Sequence, residues 1–171
     1  MSKLWNAIGF QAGWWVCILS VSRAMEPEAL LFCMALIGAH VYASQAPRQE
    51  LQLTLAAVLI GVLLDSALQY FQVIDFAGQS LLALSPYWLW ALWGVLATTL
   101  NASLAFLQRL PRLLIAGLGF FLGPWTYYAG AQLGAARFET TPFHVLTLAA
   151  AWAMVLPVLV ALAQRKTDHA N

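Results

Sequence analysis

Residues 50–72 read ELQLTLAAVLIGVLLDSALQYFQ, an apolar run whose one interior charge is Asp65. Its length matches the roughly 20 apolar residues that a helix needs to cross a bilayer core. Such a run is expected to be helical, because lipid offers no partner to an unpaired backbone group. Five further stretches share this character, at 4–22, 27–46, 86–107, 111–135 and 142–163. The sequence therefore predicts an all-α membrane protein, a bundle of six transmembrane helices forming one domain over residues 1–171.

Composition agrees. Hydrophobic residues make up 62% of the chain and charged residues 9%, against about 45–50% and about 25% in soluble domains. A formal net charge of +1 leaves no basic field for nucleic acid. The partner implied is the lipid bilayer. Connections this short make successive helices antiparallel neighbours. Prolines 27, 86, 111 and 142 fit the first helical turn, whose N–H groups lack intrahelical acceptors. Ser85 and Thr141 stand before two of them as candidate caps.

Charge placement orients the bundle. With six alternating spans, Lys3, Arg48, Arg109, Arg112, Arg165 and Lys166 fall on one side, and Arg23 and Arg137 on the other. The positive-inside rule then makes both termini cytoplasmic. No small-x-small cleavage site follows the first span, and Trp14-Trp15 sits in its middle, so it reads as an uncleaved helix. Trp5, Tyr42, Tyr70, Tyr87 and Trp88 fall at span ends, where amphipathic rings prefer the interface. Trp93, Trp125 and Trp152 are expected to pack between helices. The connection 73–85 is rather apolar and reads as a short helix or re-entrant piece.

Two helix faces stand out. Gly119, Gly123, Tyr127, Gly130 and Gly134 share one face of the fifth span, and Asn6, Gly9, Gly13, Cys17 and Ser20 one face of the first. Small residues at this spacing let backbones approach closely, within the chain or against another membrane protein or a second copy. Gly123-Pro124 is expected to kink the fifth span.

Asp65 is the more specific feature. It shares a stripe with Thr54, Gly61, Gln69 and Gln72. A carboxylate at the membrane centre costs roughly 2.5–3.5 kcal/mol on insertion scales and normally faces the bundle interior with a partner. The candidate partners are Asn6, Gln11, Thr98, Asn101, Tyr127, Tyr128, Gln132 and His40. A catalytic or binding centre would be built from Asp65, Gln69, Tyr127 and Tyr128, with Asn6, Gln11, Asn101 and Gln132 available for binding. His40 and His144 fall on opposite sides of the membrane, which argues against a shared metal site. Cys17 and Cys33 can meet at one depth as buried thiols. No catalytic signature, metal site or cofactor motif is present.

The set Asn6-x-x-Gly9-Phe10-Gln11-x-x-Trp14, Asp65, Trp88-Leu-x-x-Leu92-Trp93 and Gly123-Pro124-x-x-Tyr127-x-x-Gly130-x-x-x-Gly134-Ala135 resembles a small bacterial inner-membrane family. That family has no assigned function and is known by a domain-of-unknown-function label. The resemblance spans essentially the whole chain and transfers no catalytic residue. It implies an inner-membrane location and, through the fatty-acid-modifying and stress-response genes such genes accompany, a role in envelope lipids. Trp125 replaces a small residue of the family and is expected to narrow any cavity there. The leading functional reading is a non-enzymatic accessory or envelope and lipid-homeostasis component. The alternatives are a small lipid-modifying enzyme centred on Asp65 and a proton-coupled transporter.

Overall fold

A stripe of leucines shows what surrounds the protein. On α3 (Pro47–Tyr70), Leu51, Leu55, Leu59 and Leu63 recur every fourth residue and are 47–61% exposed. The opposite face, with Leu53, Thr54, Ala57, Gly61, Asp65 and Leu68, is buried. Water would not tolerate so long an exposed apolar stripe, and lipid covers it without cost. The protein is an all-α membrane bundle.

The computed structural model describes residues 2–164; Arg165, Lys166 and His169 lie outside the described residues. The helices are α1 (Lys3–Val21), α2 (Glu26–Tyr42), α3, α4 (Tyr87–Leu100), α5 (Arg112–Gln132) and α6 (Pro142–Gln164). Among the described residues, α1, α3 and α6 are long and apolar enough to cross a membrane. The helix α4 has 14 residues, so it spans about 21 Å, short of the roughly 30 Å hydrocarbon core. It can be short because it is the hub of the bundle, with no residue exposed. It packs against α1, α2, α3 and α6. Where the sequence predicts helix through residue 107, α4 stops at Leu100 and a 3-10 segment, Ala105–Arg109, leads toward α5.

The connection 73–85 also departs from expectation. It forms neither a short helix nor a re-entrant piece. Asp75–Phe76 (β1) pairs antiparallel with Ala136–Arg137 (β2), and Ala77 donates to the Ala135 carbonyl at 3.0 Å. Val73, Ile74 and Phe76 are buried beneath this ribbon, so the apolar loop residues cap the bundle. Gly134 makes the ribbon reachable. With φ +85° it takes the left-handed position that ends α5, and Ala135 donates back to the Gly130 carbonyl at 3.1 Å. Gly134 is thus a helix terminator and not a packing glycine: a Cβ there would meet nothing within 4 Å.

The two ends of the bundle differ in charge. Lys3, Arg48, Arg109 and Arg112 lie at the end holding the 3-10 segment, and Arg23 and Arg137 at the ribbon end. Pro86 and Pro111 precede their helices by one residue. Thr141 meets the expected capping role by accepting from the His144 N–H at 3.4 Å, whereas Ser85 accepts from the Trp90 indole at 3.2 Å.

Six other glycines serve contacts within the chain. A Cβ on Gly61 would overlap the Trp93 ring, one on Gly119 the Trp152 carbonyl, and one on Gly123 the Trp152 ring. Gly9 lies against Leu36, Gly13 against Leu36, Val95 and Cys33, and Gly130 against Ile18. Gly61→Ala is expected to destabilise the protein by roughly 1–3 kcal/mol through overpacking, measured by unfolding in detergent. Gly117→Ala, with open space around it, should be neutral or stabilising. Equal effects at the two positions would contradict this packing.

Candidate functional site

Gly61 and Asp65 sit one turn apart on the buried face of α3. Because Gly61 has no side chain, the Trp93 indole lies flat on α3 and its Nε1 donates to Asp65 Oδ2 at 2.7 Å. From α5 the Tyr127 hydroxyl donates to Asp65 Oδ1 at 2.6 Å. One carboxyl group thus joins α3, α4 and α5, and it is fully buried. A hydrogen bond contributes about 0.5–1.5 kcal/mol to a neutral group and about 1.5–3 kcal/mol to a charged one, so the two together offset much of the insertion penalty.

Helix α6 completes the cluster. Trp152 stacks on Trp93 with centroids 5.0 Å apart and planes 12° apart, and meets Tyr127 edge-on at 6.1 Å. Its indole N–H is buried beside the Tyr127 hydroxyl without reaching hydrogen-bond geometry. Phe76, from the ribbon, packs on Tyr127 at 5.9 Å.

On the far side of Tyr127 lies a cavity of about 360 Å³. Phe10, Trp14 and Ile18 of α1 form one wall and the Leu118–Gly130 face of α5 the other, with α4 as floor. The two walls touch where Ile18 meets Gly130. Ile74, Phe76 and Ala136 close that end. Toward the 3-10 segment the cavity opens, with Phe106 and Leu122 each 55% exposed. The lining is almost wholly apolar; Tyr127 and Thr126 are among its residues, their hydroxyls donating to Asp65 and to the Gly123 carbonyl. Asp65 is behind the wall and does not line the cavity.

A family model described as "Protein of unknown function (DUF2878)" matches residues 3–158. The chain belongs to that family. No curated protein and no solved structure matches.

Of the candidate partners named from sequence, Tyr127 alone joins Asp65 among the described residues. Tyr128 is 38% exposed and tilts against Trp125, which is itself 69% exposed. Trp125 therefore faces outward and does not narrow the cavity. Gln11 and Gln132 are exposed and stand outside the site. Gln72 leaves the stripe because α3 ends before it and its φ is +57°. Gln69 is half-buried, its Oε1 enclosed without a hydrogen-bond partner. Asn6 belongs to a separate node: it donates to Thr98 and accepts from Ser103 Oγ at 2.6 Å. Cys17 and Cys33 meet as free thiols at 3.4 Å.

Two partnerships escape a sequence reading. Trp93 reads in sequence as a packing residue, yet its indole N–H is a donor that a buried Trp normally satisfies. The second is a chain of polar contacts at the 3-10 end. His40 Nε2 lies 3.3 Å from Glu50 Oε2, Asn101 donates to Glu50 Oε1 at 3.1 Å, and Gln108 donates to Asn101 Oδ1 at 2.8 Å. Glu50 reads in sequence as a polar span boundary, but it is 7% exposed. Asn101 thus serves Glu50 and not Asp65.

Tyr127→Phe leaves Asp65 Oδ1 without its donor and is expected to cost about 1–3 kcal/mol in detergent unfolding. Tyr128→Phe should stay within about 0.5 kcal/mol. A silent Tyr127→Phe would remove Asp65 from the role of tie between helices.

Proposed function

We propose that this protein is a non-enzymatic lipid-binding component of the bacterial inner membrane that holds one lipid chain in the cavity between α1 and α5. The observation carrying this reading is the cavity itself: apolar along its length, laterally open, and bounded by α1 and α5, with Ile18 against Gly130 near one end. Ligand sites are concave and mostly apolar, with few polar groups, and in a bilayer the apolar ligand at hand is an acyl chain. Asp65 acts by holding Trp93 and Tyr127, and through them the cavity wall. All six helices serve as spans, in one domain with both termini cytoplasmic. The excess of cations at the 3-10 end supports that orientation. Such a protein would act as an accessory or homeostatic element of envelope lipid.

One observation favours a second reading, a lipid-modifying enzyme. Tyr127 is both a lining residue of the cavity and the partner of a buried carboxyl group, the pairing that a proton exchange with a bound lipid would need. A proton-coupled carrier draws no such support, since the cavity offers no polar route to Asp65.

Protein purified in mild detergent should retain about one lipid per chain, measured by extraction and mass spectrometry. Leu118→Trp, which fills the cavity, should lose most of it, while the outward Leu113→Trp should not. Equal lipid content in both variants would overturn the reading. Turnover of the retained lipid that Tyr127→Phe abolishes would favour the enzyme.

A further inference from the structure

The cavity has a direction. Its ribbon end is closed by Ile74, Phe76 and Ala136, and its other end opens beside the junction of the 3-10 segment with α5. The α5 wall runs from Leu118 to Gly130, about 18 Å of helix. That is close to half of the roughly 30 Å hydrocarbon core, the depth reached by a chain from one leaflet. A slot of this length with so little polar lining takes a hydrocarbon tail and leaves the head outside, at the open end.

That end carries Arg109 and Arg112, both exposed. Neither forms an ion pair among the described residues. Arg112 opens α5, whose cap, Pro111, supplies no side-chain hydrogen bond. Leu114 and Ile115 donate back to the Pro111 carbonyl, which leaves the Arg112 and Leu113 N–H groups at the exposed start of α5 without an intrahelical acceptor. Leu118 begins the slot six residues on, about 9 Å along the axis. Guanidinium groups bind phosphate through paired N–H donors. A zwitterionic head brings its own ammonium to two cations, whereas an anionic head leaves a net negative charge for them to match.

Building on the lipid-binding reading above, we propose that Arg109 and Arg112 at the mouth of the α1–α5 slot select an anionic glycerophospholipid. Its phosphate rests on the two arginines and the Arg112 and Leu113 amides, and one acyl chain follows α5 toward Tyr127. The arginines set the head-group preference, and the slot supplies the part of the affinity common to all diacyl lipids.

The test uses the full chain in detergent, offered equimolar phosphatidylglycerol and phosphatidylethanolamine and read by native mass spectrometry. The wild type should retain phosphatidylglycerol preferentially. Each arginine replaced, Arg109→Gln or Arg112→Gln, should reduce that preference on the order of five-fold. The double variant should still retain phosphatidylethanolamine. The pair Lys3→Gln and Arg48→Gln, at the same end of the bundle, should leave the preference unchanged. Equal retention of the two lipids by the wild type would overturn this proposal and leave the cavity reading standing. Retention of neither would overturn both. A loss of preference in the Lys3→Gln and Arg48→Gln protein as large as in the arginine variants would also overturn it, because the effect would then belong to the whole surface.

Discussion

The two hydrogen bonds to Asp65 fix the arrangement on which everything else depends. A carboxyl group in a membrane interior must be partnered, and the donors available come from two other helices, Trp93 of α4 and Tyr127 of α5. Satisfying both oxygens at once sets where α4 and α5 stand relative to α3. The Trp93 ring can occupy the required place only because Gly61 leaves room for it. Trp152, stacked on that ring, then positions α6. Gly119 and Gly123 let α5 close onto the same tryptophan. The cost of the buried carboxyl group is thus turned into a specification of four helices.

The cavity follows from that specification. Helix α5 is held on its α6 side by close backbone contact and at its centre by Tyr127. Helix α1 is held to α4 by Asn6 at one end and to α2 by Cys17 near the other. Among the described residues α1 and α5 pack on each other far less than on their other neighbours, and Ile18 lies against Gly130. The space between them is left open along most of its length, and its lining is apolar because it faces hydrocarbon. A small bundle whose central helix is only 14 residues long thereby borders a chain-sized apolar space.

Much of this is legible in the sequence. Apolar run length gives the helical membrane fold, and the four-residue spacing of Gly119 and Gly123 marks a close-contact face. The isolation of Asp65 identifies it as the residue needing partners, and Tyr127 was among the candidates. Other features are not legible because they depend on tertiary placement. Nothing local separates Tyr127 from Tyr128, adjacent residues about a quarter-turn apart on α5, of which one reaches Asp65 and the other is 38% exposed. The role of Trp93 as donor depends on its lying over Gly61, 32 positions earlier in the chain. The ribbon joins two-residue strands about sixty residues apart, too short to carry a strand period. Glu50 looks like a boundary charge until Asn101 and His40 are found around it. The cavity has no sequence signature, since the apolar residues that line it have the same composition as those facing bulk lipid.

Photo-crosslinking tests the occupancy of the slot most directly. A phospholipid with a diazirine near the end of one acyl chain, incorporated with the protein into bilayers and irradiated, labels whatever side chains the chain end reaches. A chain held between α1 and α5 labels Trp14, Leu122 and Tyr127, with yields well above those on the outward stripe of α3. Labelling confined to Leu51, Leu55, Leu59, Leu63 and other outward residues would mean that lipid only surrounds this protein and none is held within it.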